Sequence, residues 1–151
     1  MPIVRMRSKL HHILKLSPSE WKYFATAIFE LSRARISVAT LPTRELFTRF
    51  QADVPPVGPA TLPRPPREII TRIAWAIAAG ARRVPWRADC LVQAVAADRW
   101  LRRHGLVPEF YLGVSKDGQD HFQAHAWIRC GDVTVTGGPH DDFSPLIAPE
   151  R

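Results

Sequence analysis

From Trp21 onward, apolar residues recur at helical spacing through Phe24, Ala25, Ile28, Leu31 and Ala39, until Leu41-Pro42 stops the run. The start of that helix is signalled by Ser17-Pro18-Ser19-Glu20, a capping box with proline at the first helical position. Leu16 and Trp21 are placed as a hydrophobic staple around it. A short second helix is expected from Thr43 to Phe50. The stretch from Asp53 to Pro66 holds six prolines and reads as an extended connector. Ile69, Ile70, Ile73, Trp75 and Ile77 then predict a helix from Arg67 to about Ala79, with Gly80 opening a turn that ends at Pro85. Another helix is expected from Asp89 to His104, with Gly105 as a left-handed cap and Arg102, Arg103 and His104 in the last turn, where cations suit the helix dipole. After Pro108 the period changes to two. Phe110, Leu112 and Val114 alternate, Lys116-Asp117-Gly118 turns the chain, Phe122 to Arg129 resumes the pattern, and Gly131-Asp132 turns it again into Val133 to Thr136. Helices first and an antiparallel meander afterwards make the class α+β. The division expected is a helical N-terminal region with its proline-rich connector over residues 1–66 and a core over 67–151.

A chain of 151 residues with 46% apolar content can bury one compact core. Its 21 Lys+Arg against 14 Asp+Glu give a formal charge of +7, which suits an anionic peptide, a nucleic acid or a membrane surface. The basic residues come in scattered pairs, Arg82-Arg83 and Arg102-Arg103, without interleaved aromatics, and no helix-turn-helix or RNA-binding sheet signature is present. A nucleic-acid partner is therefore not expected. Lys9, His11, His12 and Lys15 break up any signal-peptide core, and Glu30, Arg33 and Arg35 make the apolar run near them too polar for a transmembrane segment. The expectation is a soluble cytoplasmic protein whose two cysteines are thiols and do not form a disulfide framework.

Cys90 falls in the first turn of the helix introduced by Pro85-Trp86-Arg87-Ala88-Asp89, where unpaired amides and the dipole favour a thiolate. Ala94, Ala97 and Leu101 continue its face, so that face is expected to be buried against the meander. His125 lies mid-strand between Ala124 and Ala126, where a rigid strand can bring an imidazole to the thiol. A cysteine with a histidine gives acyl transfer. Taken singly, a buried cysteine is more often a small hydrophobe and a strand histidine a satisfied polar group; it is their joint placement that favours catalysis. A metal site is not expected, because His121 and His125 on one strand face stand about 13 Å apart. Cys130 is expected at a hairpin tip, on the strand face opposite His125, where its replacement by serine would be nearly silent. No cofactor is implied.

Pro85-Trp86-Arg87-Ala88-Asp89-Cys90-Leu91-Val92-Gln93-Ala94, Leu101-Arg102-Arg103-His104-Gly105, Tyr111-Leu112-Gly113-Val114, Ala124-His125-Ala126-Trp127 and Val135-Thr136-Gly137-Gly138 together resemble the lasso-peptide leader peptidases. The N-terminal Leu16-Ser17-Pro18-Ser19-Glu20-Trp21 and Leu41-Pro42 are similar to the same family, less distinctively. The resemblance implies a transglutaminase-like cysteine protease with a Cys-His-Asp triad. It would cut the leader from a ribosomally made precursor peptide so that a separate macrolactam-forming cyclase can act on the freed amine. Some relatives carry an appended leader-binding domain, and 151 residues are not expected to hold one beside the catalytic core. A separate leader-binding partner, a RiPP recognition element protein, is accordingly expected. Where the family pattern often places an aspartate after the histidine hairpin, this sequence has Gly137 and Gly138. Asp132 is about 17 Å of strand from the histidine. Asp141 is the expected third member, with Asp142 or a backbone carbonyl as alternatives. Two other readings compete: an amide-transferring transglutaminase-like enzyme, and a non-catalytic basic adaptor binding an acidic peptide or protein through its helical third.

Overall fold

The computed structural model describes residues 17–52, 66–116, 122–139 and 143–148. Leu16 and the proline-rich connector, about which the sequence raised expectations, lie outside these residues. Four helices precede and flank a four-stranded sheet: α1 (Pro18–Thr40), α2 (Thr43–Ala52), α3 (Arg67–Ala81), α4 (Cys90–Arg103), β1 (Glu109–Lys116), β2 (Phe122–Cys130), β3 (Val133–Thr136) and β4 (Ser144–Ile147). The α+β reading holds, with the sheet fully antiparallel in the order β3-β2-β1-β4.

The capping signals work as the sequence predicts. Ser17 accepts from the Glu20 amide, while the Glu20 carboxylate accepts from the Ser17 amide at 2.7 Å and from its hydroxyl at 2.8 Å. Those donors hold Glu20 below the usual carboxylate pKa, the backbone amide foremost. At the other end of α4, Gly105 takes φ 71°, and the Leu106 and Gly105 amides donate to the Leu101 and Arg102 carbonyls, a complete Schellman turn. Gly80 departs from expectation. It lies inside α3, which runs on to Ala81, and is buried at the crossing with α1. A Cβ there would stand 3.0 Å from the Leu31 Cδ1, so the missing side chain lets the two helices close.

The core is one cluster. Ala27, Leu31 and Ala34 from α1 meet Ile70, Ile73 and Ile77 from α3 and Val92, Val95 and Leu101 from α4, all essentially inaccessible. Phe110, Ala126, Ile128, Cys130 and Val135 close it from the sheet. α4 packs on α1, α3, β2 and β3, which makes it the central element. The strand not foreseen is β4, a four-residue edge strand carrying Pro145 that joins β1 with a register shift between Leu112 and Gly113. Its proline and lack of alternation hide it from pattern reading, and both are admissible only at an edge.

Among the described residues, two ion pairs have a buried carboxylate, Asp98 with Arg102 and Glu30 with Arg103, and the second is the more deeply set on its acidic side. Glu30, with 0% side-chain exposure, receives Arg103 Nη1 at 2.6 Å, and its other oxygen has no partner among the described residues. Removing the cation alone strands a buried carboxylate, whereas replacing both partners removes the desolvation cost with the attraction. Arg103→Ala is thus expected to cost about 3 kcal/mol in urea unfolding. The double variant Glu30→Met with Arg103→Leu should recover most of that loss, and equal losses in both would show that the pair is net stabilising.

Candidate active site

Cys90 is the first residue of α4, directly after the cap Asp89, whose side chain accepts from the Val92 amide at 3.1 Å. The Asp89 carbonyl accepts from the Gln93 amide, and the Gln93 side chain donates to the Ala88 carbonyl at 2.7 Å, which ties the approach loop to the helix. The amides of Cys90 and Leu91 are the two of the first turn that Asp89 does not engage. Cys90 is a free thiol, partly exposed, with its apolar flank on the core. Ala94, Ala97 and Leu101 are fully buried, so the cysteine heads the inward face as the sequence predicts.

His125 occupies the middle of β2, opposite Gly113 of β1. Its Nε2 lies 2.6 Å from the Gly137 carbonyl. The ring contacts Phe143, centroids 4.8 Å apart, and Trp127, at 6.0 Å and 23° between planes, and Tyr111 stacks on Trp127 at 5.4 Å. Trp127 is 3% exposed, although it lies on the face of β2 opposite the core-facing Ala126 and Ile128. Two glycines make room for it: a Cβ at Gly113 would stand 2.8 Å from its ring, and one at Gly137 would stand 2.4 Å from its Cβ. α4 and β2 pack directly on one another. Among the described residues, however, Cys90 and His125 share no hydrogen bond, and His125 belongs with Trp127 to the strand face turned from Ala126 and Ile128.

Other candidates sort as follows. Asp132 is in the tight turn and pairs with Arg67 at 3.1 Å on the surface. Asp141 and Asp142, like His121, lie outside the described residues. Cys130 does face away from His125, but that direction is the core: it is 2% exposed, with its Sγ 3.8 Å from the Val107 carbonyl. Its replacement is therefore a core substitution and not the silent tip change expected, because strand alternation points even-numbered residues of β2 at the helices. Burial, and secondarily Glu109, push its thiol pKa up. Sequence reasoning did not single out Phe143, which precedes the unforeseen β4 and packs on His125; Trp86, quoted there as part of the motif before Cys90, has its indole N–H buried without a partner among the described residues. The described residues contain no group of three or more His, Cys, Asp or Glu side chains able to hold a metal ion. A groove of about 400 Å³ between the starts of α1 and α3 is lined by Ser17, Glu20, Tyr23, Arg72 and Trp75 and includes neither Cys90 nor His125.

Residues 31–148 match the family model described as the transglutaminase-like superfamily, a span that includes α4, the whole sheet, Cys90 and His125. The chain belongs to the transglutaminase-like superfamily. No curated protein and no solved structure matches it. Superfamily membership fits what the fold shows, helices packed on a four-stranded antiparallel sheet, and it supports cysteine-based chemistry of protease or transglutaminase type. Among the described residues, no helix is long and apolar enough to cross a membrane.

The two thiols should differ sharply in reactivity, since only Cys90 combines access with helix-start amides. Iodoacetamide applied to the folded protein near neutral pH is expected to alkylate Cys90 alone, with Cys130 modified only in denaturant, as read by peptide mass. Cys130→Ser should lower stability by about 1–3 kcal/mol, the cost of a buried hydroxyl without an adequate partner. Labelling of Cys130 in the native state at the rate of Cys90 would contradict this assignment.

Proposed function

We propose that the protein is a cysteine peptidase that removes the leader segment from a ribosomally made lasso-peptide precursor, with Cys90 as nucleophile and His125 as general base. The observation that carries the catalytic part is the cysteine at the capped start of α4 within a transglutaminase-like domain that also spans the strand histidine. The motif resemblance over Pro85 to Gly138 supports the substrate class. In this reaction Cys90 attacks the scissile carbonyl, and its proton passes to His125 and then to the leaving amine. Water then hydrolyses the thioester, with the proton moving back through the same ring. The Cys90 and Leu91 amides are the donors available to the oxyanion. The site of action proposed is the cytoplasm, where the precursor is made.

We also propose that a separate leader-binding protein presents the precursor and that the macrolactam-forming cyclase follows. Phe29 and Ile36, 56% and 61% exposed on the outer side of α1, support partner contact along that helix. An amide-transferring enzyme would use the same nucleophile and base, and a non-catalytic adaptor would need neither. Product mass separates the three.

Incubated with precursor and leader-binding partner, the protein should release leader and core as two peptides whose masses sum to precursor plus water. Cys90→Ala and Cys90→Ser should each lose roughly a thousandfold or more in rate while keeping the wild-type circular dichroism. Full turnover by Cys90→Ala would end the peptidase reading, and a mass gain of an amine in place of water would make the enzyme a transferase. Omitting the partner should slow cleavage strongly; equal rates with and without it would refute the division of labour.

A further inference from the structure

Gly137 sits at the end of β3 with φ 98°, and the Cβ of any other residue would fall 2.4 Å from the Trp127 Cβ and 3.0 Å from its Cα. Both facts restrict the position to glycine. The backbone conformation they permit turns the Gly137 carbonyl onto His125 Nε2 at 2.6 Å. A carbonyl only accepts, so Nε2 carries the hydrogen, and in the neutral ring Nδ1 then holds the lone pair. The neighbouring rings of Phe143 and Trp127, with centroids 4.8 and 6.0 Å from that of the imidazole, leave it less room to rotate.

We propose that the Gly137 main-chain carbonyl is the positioning group for His125, standing where a triad carboxylate would stand, and that it fixes the Nε2–H tautomer so that Nδ1 is the nitrogen that takes the Cys90 proton. The last clause rests on the peptidase reading; the tautomer and its cause do not. In contrast to an aspartate, the carbonyl brings no charge to the imidazolium formed during turnover. What it supplies is orientation, to which the contacts with Phe143 and Trp127 add. The Nε2–H donates in one direction, so a carboxylate from the segment after Pro139 is not needed to hold the ring.

The test is long-range proton–nitrogen correlation NMR on the full chain labelled with ¹⁵N-histidine, with His125 assigned by His125→Gln, at a pH where the ring is neutral. The expected spectrum shows a single Nε2–H tautomer for His125, its ring proton exchanging with water far more slowly than that of the exposed His104. A Nδ1–H tautomer, or exchange as fast as in His104, overturns the proposal without needing any variant. Gly137→Ala should release the proton to fast exchange and lower kcat roughly a hundredfold, the range a positioned base contributes, with KM little changed. Gly138→Ala is the control, since its φ of 60° carries similar backbone strain but its Cβ meets nothing within 4 Å. It should keep the protected Nε2–H, and loss of that proton in both variants would show that strain, and not the carbonyl, is responsible. Asp141→Asn should also keep it; loss there would return the orienting role to the aspartate. Failure of precursor cleavage with the Nε2–H intact would strike the peptidase reading and leave the orienting contact standing.

Discussion

The burial of α4 among two helices and two strands sets the terms for the rest of the molecule. Val92, Ala94, Val95, Ala96, Ala97 and Leu101 are at 0–2% exposure, contacted by α1, α3 and two strands. Three of those six are alanines, small enough to let flanking elements approach closely, while the larger Val92, Val95 and Leu101 fill the spaces between them. A helix so confined cannot shift along its axis without opening the core. Its first turn is consequently held at a defined place, and Cys90 with it. The Schellman turn at Gly105 gives carbonyls of the last turn their partners, while the cap at Asp89 engages the Val92 and Gln93 amides and leaves those of Cys90 and Leu91 to the site.

The sheet shows a second economy of space, on its far side. Its helix-facing residues are ordinary core hydrophobes, but the opposite face carries a row of rings, Tyr111, Trp127, His125 and Phe143, in which a large indole is almost wholly enclosed. Gly113 and Gly137 make that enclosure possible by leaving out side chains at the two points of closest approach. The histidine is thereby set in an aromatic environment with one backbone acceptor. It is a more rigid setting than a lone side-chain partner on a loop would give.

Much of this was readable from the residues alone, for reasons specific to each. The capping box at Ser17, the cap at Asp89 and the turn at Gly105 are local chemistry, satisfied by neighbours within a few residues, so they survive folding unchanged. Strand β1 announces itself through the alternation of Phe110, Leu112 and Val114, and β2 and β3 through the turn signals beside them. What escaped depends on contacts between distant segments. Gly80 looked like a stop because an isolated glycine in a helix is costly, and only the Leu31 side chain crossing it explains why α3 continues. Cys130 was placed on the correct side of β2, yet which side is the core could not be known before the helices were docked. The third partner of His125 was open among several aspartates and a carbonyl, since main-chain acceptors leave no mark in a sequence.

The contact between His125 and Gly137 also changes how the site stands toward mutation over generations. An acidic side chain that orients a base can be lost through nearly any change in its own codon. A peptide carbonyl has no codon of its own and persists through every substitution that leaves the backbone in place. Genetic fragility is therefore transferred from an acid to the spacing residues around Trp127, where a single methyl group added at Gly113 or Gly137 would be felt at the imidazole. In a lineage sampled widely, drift should then be tolerated among the carboxylates near the end of the chain and resisted at these two glycines.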